Sequence, residues 1–238
     1  MLILAVDSTA KISSAALVKD GKVLGEVTLD TGNTHSETLL PAVEFLLDAA
    51  RLTVGDIDVF TCAAGPGSFT GVRIGAATIK GLAFGRGECC LPISTLEALA
   101  EHAADTRAVV VPVMDARRDQ VYTAVFDCAD GAPKRITDDD AMSVDELIEM
   151  LPAHADGSPV YFVGDGYSLV RDRAAEKLPN VAVTPLPMRD HAASAAAAAA
   201  YRRLISGEVT LIDAEALTPS YLRLSQAERE YKEKHKND

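Results

Sequence analysis

Three short stretches carry residue types that can do chemistry. Gly65-Pro66-Gly67 lies between the apolar run Val59 to Ala63 and a segment that opens with Ser68, Phe69 and Thr70. A glycine-rich turn between a strand and a helix exposes backbone N–H groups at the positive end of the helix dipole, so it can cradle a phosphate or carboxylate. The second stretch, Asp7-Ser8-Thr9-Ala10-Lys11, puts a carboxylate at a strand end beside small and hydroxylated side chains. It reads either as a ligand edge or as a plain polar turn. The third is a pair of turns later in the chain, Asp115-Ala116-Arg117-Arg118-Asp119 and Gly164-Asp165-Gly166, each closing a strand-like run.

The glycines also have a packing use. Gly67, Gly71 and Gly75 fall four apart, as do Gly81 and Gly85, and residues four apart share one helix face. A glycine inside a helix costs roughly 1 kcal/mol relative to alanine, so a glycine face needs close backbone approach in return. Packing is the favoured use. The turn lacks the Gly-Lys-Ser/Thr ending of a P-loop and the Gly-x-Gly-x-x-Gly dinucleotide spacing.

Metal and redox chemistry find no pattern to rest on. Cys62, Cys89, Cys90 and Cys128 have neither C-x-x-C nor zinc spacing, and the adjacent pair Cys89-Cys90 reads as two buried thiols. Asp138-Asp139-Asp140 reads as a solvated turn, and His35 as a polar residue in a first helical turn.

The elements that must position these groups can be read in order. Leu2 to Val6, Ser13 to Val18 and Lys22 to Leu29 form a β-meander, with Asp20-Gly21 as a tight hairpin turn. Thr34-His35-Ser36-Glu37 is a capping box that starts a helix. Its apolar face, Leu39, Leu40, Val43, Leu46, Leu47 and Ala50 extended by Ala42 and Phe45, is wider than one sheet contact needs, so one side should meet something outside the sheet. Strand Val59 to Ala63, a helix capped by Ser68 or Thr70, strand Leu91 to Ile93 and helix Thr95 to Ala104 complete the order β-β-β-α-β-α-β-α. That order is the ribonuclease H-like half of the actin, sugar kinase and Hsp70 class, whose members hold a nucleotide between two such lobes.

Beyond a boundary near Asp105 to Ala108, strands Ala108 to Met114, Gln120 to Phe126 and Val160 to Val163 describe a reduced second lobe. Asp190 should cap an alanine-rich helix from Ala192 to Ile205, and Ser225 to Glu228 should start a charged C-terminal helix. The division expected is 1–106 and 107–238.

The chain has 238 residues, a net charge of -12 and a pI near 4.8, which argues against its holding a nucleic acid alone. A polynucleotide, if involved, should come through a basic partner. MLILAVDS lacks the basic flank and cleavage site of a signal peptide, and the expectation is a cytoplasmic protein.

Taken together, ILAVDST, NTHSETLLP, GPGSFTGVRIG (Gly65 to Gly75), VMDARRDQVY (Val113 to Tyr122) and PSYLR (Pro219 to Arg223) resemble the TsaB (YeaZ) family over nearly the whole chain. The resemblance implies an actin-like (ASKHA) fold and a part in placing a threonylcarbamoyl group on the tRNA adenosine next to the anticodon. It implies a non-catalytic subunit that pairs with the catalytic TsaD, joins TsaE in a ternary complex, meets tRNA only through that complex, and uses the same helices for a homodimer. No cofactor is expected. The implied partner face comprises Leu39, Leu40, Val43, Leu47, Gly71, Ile74, Gly75, Thr78 and Leu82, and Gly75→Leu or Leu40→Asp should abolish pairing in a folded monomer. Arg73, Arg117 and Arg118 are candidates for contact with TsaE or tRNA.

Two departures bear on catalysis. The histidine motif that holds a metal in TsaD-like proteins, of the form Asn-His-x-Glu-Gly-His, aligns with Ser94 to Leu99, where Thr95 and Leu99 replace both histidines. The phosphate loop Asp-x-Gly aligns with Asp7-Ser8-Thr9, without the glycine. The competing reading is an independent actin-fold ATPase or kinase with Asp7 and Asp115 near phosphate and Gly164 and Gly166 near adenosine. A metallopeptidase would need a zinc set such as His-Glu-x-x-His, which the sequence does not contain.

Overall fold

In the computed structural model residues 1–223 are described, apart from the side chain of Leu186. Strands β1 (Leu2–Asp7), β2 (Ser13–Lys19) and β3 (Lys22–Leu29) form the antiparallel meander, turning at Asp20 and Gly21 with positive φ. Helix α1 (His35–Ala50) follows, with the Thr34 N–H donating to Glu37 at 3.2 Å as the capping box requires. Strand β4 (Val59–Ala63), helix α2 (Phe69–Ala83), strand β5 (Glu88–Ile93) and helix α3 (Thr95–Glu101) complete the first lobe's expected order. β4 runs parallel to β1, and β5 parallel to β4. Ser68 is the α2 cap, accepting the Gly71 N–H at 3.3 Å.

The second lobe runs β6 (Val109–Asp115), β7 (Gln120–Thr123), β8 (Phe126–Asp127), β9 (Lys134–Arg135), β10 (Asp140–Ser143), α4 (Val144–Met150), α5 (Pro152–Ala155), β11 (Val160–Val163) and α6 (Tyr167–Lys177). The expected strand Gln120 to Phe126 is broken, because β7 pairs with the end of β6 and β8 with its start. Between them Val125 turns its N–H to the Thr137 hydroxyl at 2.9 Å. α3 is shorter than expected, giving way to a 3-10 turn at Ala104–Thr106.

The division at residue 106 needs correction at its far end. Helix α7 (Ala193–Ile205) and strand β12 (Ile212–Asp213) return to the first lobe, where β12 completes the order β12-β5-β4-β1-β2-β3. Alternation along β1 explains the layering, since successive side chains point to opposite faces. Leu2, Leu4 and Val6 pack with Leu39, Val43, Ala76 and Ile79 of α1 and α2, while Ile3 and Ala5 pack with Ala193, Ala196, Ala197 and Ala200 of α7. Alanines on both sides let α7 lie close to the sheet. Asp190 does not cap it: Ser14 and Glu26 of the sheet accept the Ala193 and Ser194 N–H groups at 3.1 and 2.9 Å. α3 lies between the lobes, with Leu96 and Leu99 against Val110 and Met114 of β6. The expected C-terminal helix from Ser225 lies outside the described residues.

The glycine face of α2 divides into two uses. At Gly71 and Gly75 an added Cβ would run into Ser8 of the turn after β1, whereas Gly81 has open space. Gly71→Ala should therefore lower stability by about 1–3 kcal/mol through overpacking, and Gly81→Ala should raise it by about 0.5–1 kcal/mol through helix propensity. Urea denaturation of the two variants beside the wild type checks both signs.

Candidate functional site

The carboxyl ends of β1 and β6 face one another across a cleft of about 490 Å³ lined by Thr9, Ser68, Asp115, Arg117, Asp165 and Tyr221, among others. Asp7 ends β1 two residues before Thr9 and is buried. One carboxylate oxygen accepts the Thr9 N–H at 2.8 Å and the Thr9 hydroxyl at 2.7 Å. The other lies 3.3 Å from Nδ1 of His191, which is equally buried. Nε2 of His191 lies 3.9 Å from Asp165, in the turn between β11 and α6.

Burial alone would raise the Asp7 pKa, but the charge and hydrogen bond of His191 and the two bonds from Thr9 outweigh it and hold the carboxyl below its ordinary value. For His191, burial disfavours the charged ring, yet Asp7 and Asp165 push its pKa up to about 10. The pair is an imidazolium on a carboxylate at neutral pH. The neighbouring His102, at the end of α3, is pushed the other way by burial and by the His191 charge.

The other expected cleft residues are committed locally. Asp115 accepts the Arg117 N–H at 2.7 Å and pairs with its guanidinium at 3.2 Å. Gly164 and Gly166 do not face the cleft as adenosine contacts would; they pack on the β6 backbone, where a Cβ on Gly164 would lie 2.5 Å from the Val113 carbonyl. The Gly166 N–H donates to that carbonyl at 3.0 Å. Asp165 between them reaches the cleft.

Sequence reasoning missed two contributors. His191 is 184 residues from Asp7 and has no local motif to mark it. The second is the segment 219–223, which spans the cleft mouth. Ser220 donates its N–H to the Ala64 carbonyl at 2.7 Å, and Tyr221 packs on Phe69 with ring centroids 4.9 Å apart. Arg73 donates to the Tyr221 hydroxyl at 2.8 Å, and Arg223 to the Ala116 carbonyl at 2.9 Å.

The α1–α2 face also differs from expectation. Leu39, Val43 and Leu47 belong to the core, and Gly71 and Gly75 are buried against the Ser8 turn, so these five do not face outward. Gly75→Leu would disrupt the monomer. Ile74, Thr78 and Leu82 are half-buried, while Leu40 (44% exposed), Phe45 (64%) and Phe84 (74%) stand out in solvent. α1 and α2 lie side by side. His35 bonds the Ala10 carbonyl at 2.8 Å, tying the start of α1 to the turn after β1.

In the segment aligned with a metal motif, Thr95 and Leu99 are buried, and among the described residues no group of three or more His, Cys, Asp or Glu is placed to hold a metal. Asp139 is not merely solvated, as it accepts from Ser94 and pairs with Arg135. The four cysteines are buried and free, and Cys89 and Cys90 are the two buried thiols that the sequence suggested.

A family model described as "TsaD: tRNA N6-adenosine threonylcarbamoyltransferase" matches residues 22–231. The tRNA threonylcarbamoyladenosine biosynthesis protein TsaB of Bacillus subtilis is 30% identical over 236 residues, 99% of this chain and 100% of that protein. The chain belongs to the TsaB family. The TsaB of Escherichia coli is 36% identical over 128 residues, covering 53% of this chain and 55% of that one. The solved YeaZ of Pseudomonas aeruginosa superposes with a TM-score of 0.74 at 27% identity, over 93% of this chain and 99% of that one. The fold of this TsaB-family chain is the mixed α/β actin-like fold that the element order β-β-β-α-β-α-β-α had suggested. Among the described residues no helix is long and apolar enough to cross a membrane.

The buried pair gives a pH signature. The His191 pKa is raised in the folded state, so its stabilisation is complete below about pH 6.5 and is lost as pH climbs through about 10. The Asp7 pKa is lowered, so its contribution is present above the ordinary carboxylate value and is lost on acidification. The melting-temperature advantage of the wild type over His191→Gln should shrink steadily from pH 6.5 to 10; an advantage independent of pH would mean that the ring is neutral.

Proposed function

We propose that this chain is the non-catalytic partner subunit of a tRNA threonylcarbamoyltransferase assembly, pairing with a TsaD subunit through the outer faces of α1 and α2. The observation that carries the reading is the exposure of Leu40 and Phe45 on α1 and of Phe84 at the end of α2, two adjacent helices whose inner faces are already used by the core. Apolar side chains of this size, left in solvent on neighbouring elements, favour an association surface. Ile74, Thr78 and Leu82 form its half-buried margin. Gly81, with open space around it, leaves room for a partner helix to approach α2 closely. The same face can serve a homodimer when TsaD is absent.

The chemistry at the other sites agrees with a subunit that does not carry the transfer step. Asp7 is neutralised by a side chain of its own chain, and the positions aligned with metal-binding histidines hold a buried threonine and leucine. With a net charge of -12, contact with tRNA is assigned to the assembly, in which TsaE is the third member.

Sedimentation of the chain with purified TsaD tests the reading. Leu40→Asp and Phe45→Asp, both at solvent-exposed positions, should leave the melting temperature near that of the wild type. Each should weaken the heterodimer by about thirtyfold or more, the scale of a lost interface anchor. Wild-type association in both variants would refute the assignment. Turnover of ATP by the purified chain alone, abolished by Asp7→Ala, would favour the independent ATPase instead.

A further inference from the structure

Folds of this class bring two lobes together around a nucleotide, whose phosphates lie against the strand-end turn represented here by Asp7 to Lys11. The residues of this chain do not fit that ligand. Both oxygens of Asp7 are already engaged, one by Thr9 and the other by His191, and the carboxylate is almost completely buried. Gly164 and Gly166 are pressed on β6 and leave no backbone surface for a nucleoside. Segment 219–223 crosses the cleft mouth from Ala64 in one lobe to Ala116 in the other.

We propose that the chain holds its own cleft closed, with His191 and the segment 219–223 supplying internally the cross-lobe contacts that a bound nucleotide supplies elsewhere in this fold. The two devices are independent in the structure. His191 sits where the chain crosses from the second lobe to α7, and its ring lies between Asp7 of the first lobe and Asp165 of the second, at 3.3 and 3.9 Å. A cation between two carboxylates draws both lobes toward it; the contact with Asp7 is buried on both sides and little screened by salt, while that with Asp165 reaches a carboxylate that is 38% exposed. His191 Nε2 has no hydrogen-bond partner among the described residues, and the Asp165 carboxylate, 3.9 Å away, is the charged group that faces it.

The segment 219–223 acts at the cleft mouth. The Ser220 carbonyl lies against Gly65, where a Cβ would collide with it. Gly65 has a φ of 117°, a region open chiefly to glycine, so the turn before α2 is shaped to admit this segment. Tyr221 is then fixed by Phe69 beneath it and by Arg73, whose guanidinium lies 3.8 Å from the Phe69 ring centre and donates to the tyrosine hydroxyl. Arg223 completes the span with its bond to Ala116, at the start of the second lobe's Asp115–Asp119 turn. Closure in this chain therefore needs no ligand, and the α1–α2 face is presented on a rigid first lobe at all times.

Hydrogen–deuterium exchange on the full chain, with and without MgATP, tests the proposal without reference to any partner protein. In the wild type the hydrogen-bonded amides within residues 8–11 and 115–119, those of Thr9, Ala116 and Arg117, should exchange slowly, and MgATP should not slow them further. In the double variant Tyr221→Ala and Arg223→Ala, at positions on the cleft rim, exchange in those two segments should rise by about tenfold while the core of α2 is unchanged, the pattern of local opening. His191→Gln should produce the same opening, and the strap variant decides the matter if that protein does not fold. Wild-type exchange in the strap variant, or slowing of the wild-type segments by MgATP, would overturn the proposal.

Discussion

Close approach of the α2 backbone to the turn after β1 is the constraint on which the rest of the structure depends. Gly71 and Gly75 have no side chains, so α2 can settle directly on Ser8, whose hydroxyl donates to the Gly71 carbonyl at 2.8 Å. That contact fixes the Asp7–Lys11 turn from above, as Asp7 and Thr9 fix it from within. It also sets the height of α2 over the sheet, and with it the level at which α1 packs alongside. One glycine-made contact thus determines both the floor of the cleft and the plane of the exposed apolar face.

The two lobes are joined by chain that crosses between them more than once. α3 packs on β6, and the return of the chain through His191 into α7 puts the last helix back on the first sheet. The first lobe is consequently closed on both faces, by α1 and α2 on one side and by α3 and α7 on the other. A sheet covered on both sides can spend the outer surface of one layer on association without exposing its own core. The exposed Phe45 and Phe84 follow from this arrangement, since they lie on α1 and at the end of α2, whose buried stripes are already satisfied.

Much of the fold was legible because its signals are local. The capping box at Thr34–Glu37, the Asp20-Gly21 turn and the run Val59 to Ala63 each specify their element within a few residues, and all three formed where expected. The direction of the glycine face was not legible. Spacing showed that Gly71 and Gly75 share a side of α2, but only the tertiary structure shows that this side meets Ser8 of the same chain. The breadth of the α1 apolar face was legible, whereas the division into core residues such as Leu39 and Val43 and outer residues such as Leu40 and Phe45 depends on how the helix is rotated on the sheet. His191 was invisible for a different reason: a cation that neutralises a carboxylate 184 residues away leaves no periodicity or motif.

Hydroxyl-radical footprinting of the chain alone, at a concentration where it sediments as a monomer, and in complex with TsaD measures most directly whether the outer face of α1 and α2 is the surface this chain uses. The account expects Leu40, Phe45, Leu82 and Phe84 to be oxidised in the free monomer and strongly protected in the complex, with Tyr122 in the cleft unchanged. Protection of Tyr122 while Phe45 and Phe84 remain as reactive as in the free chain would contradict it.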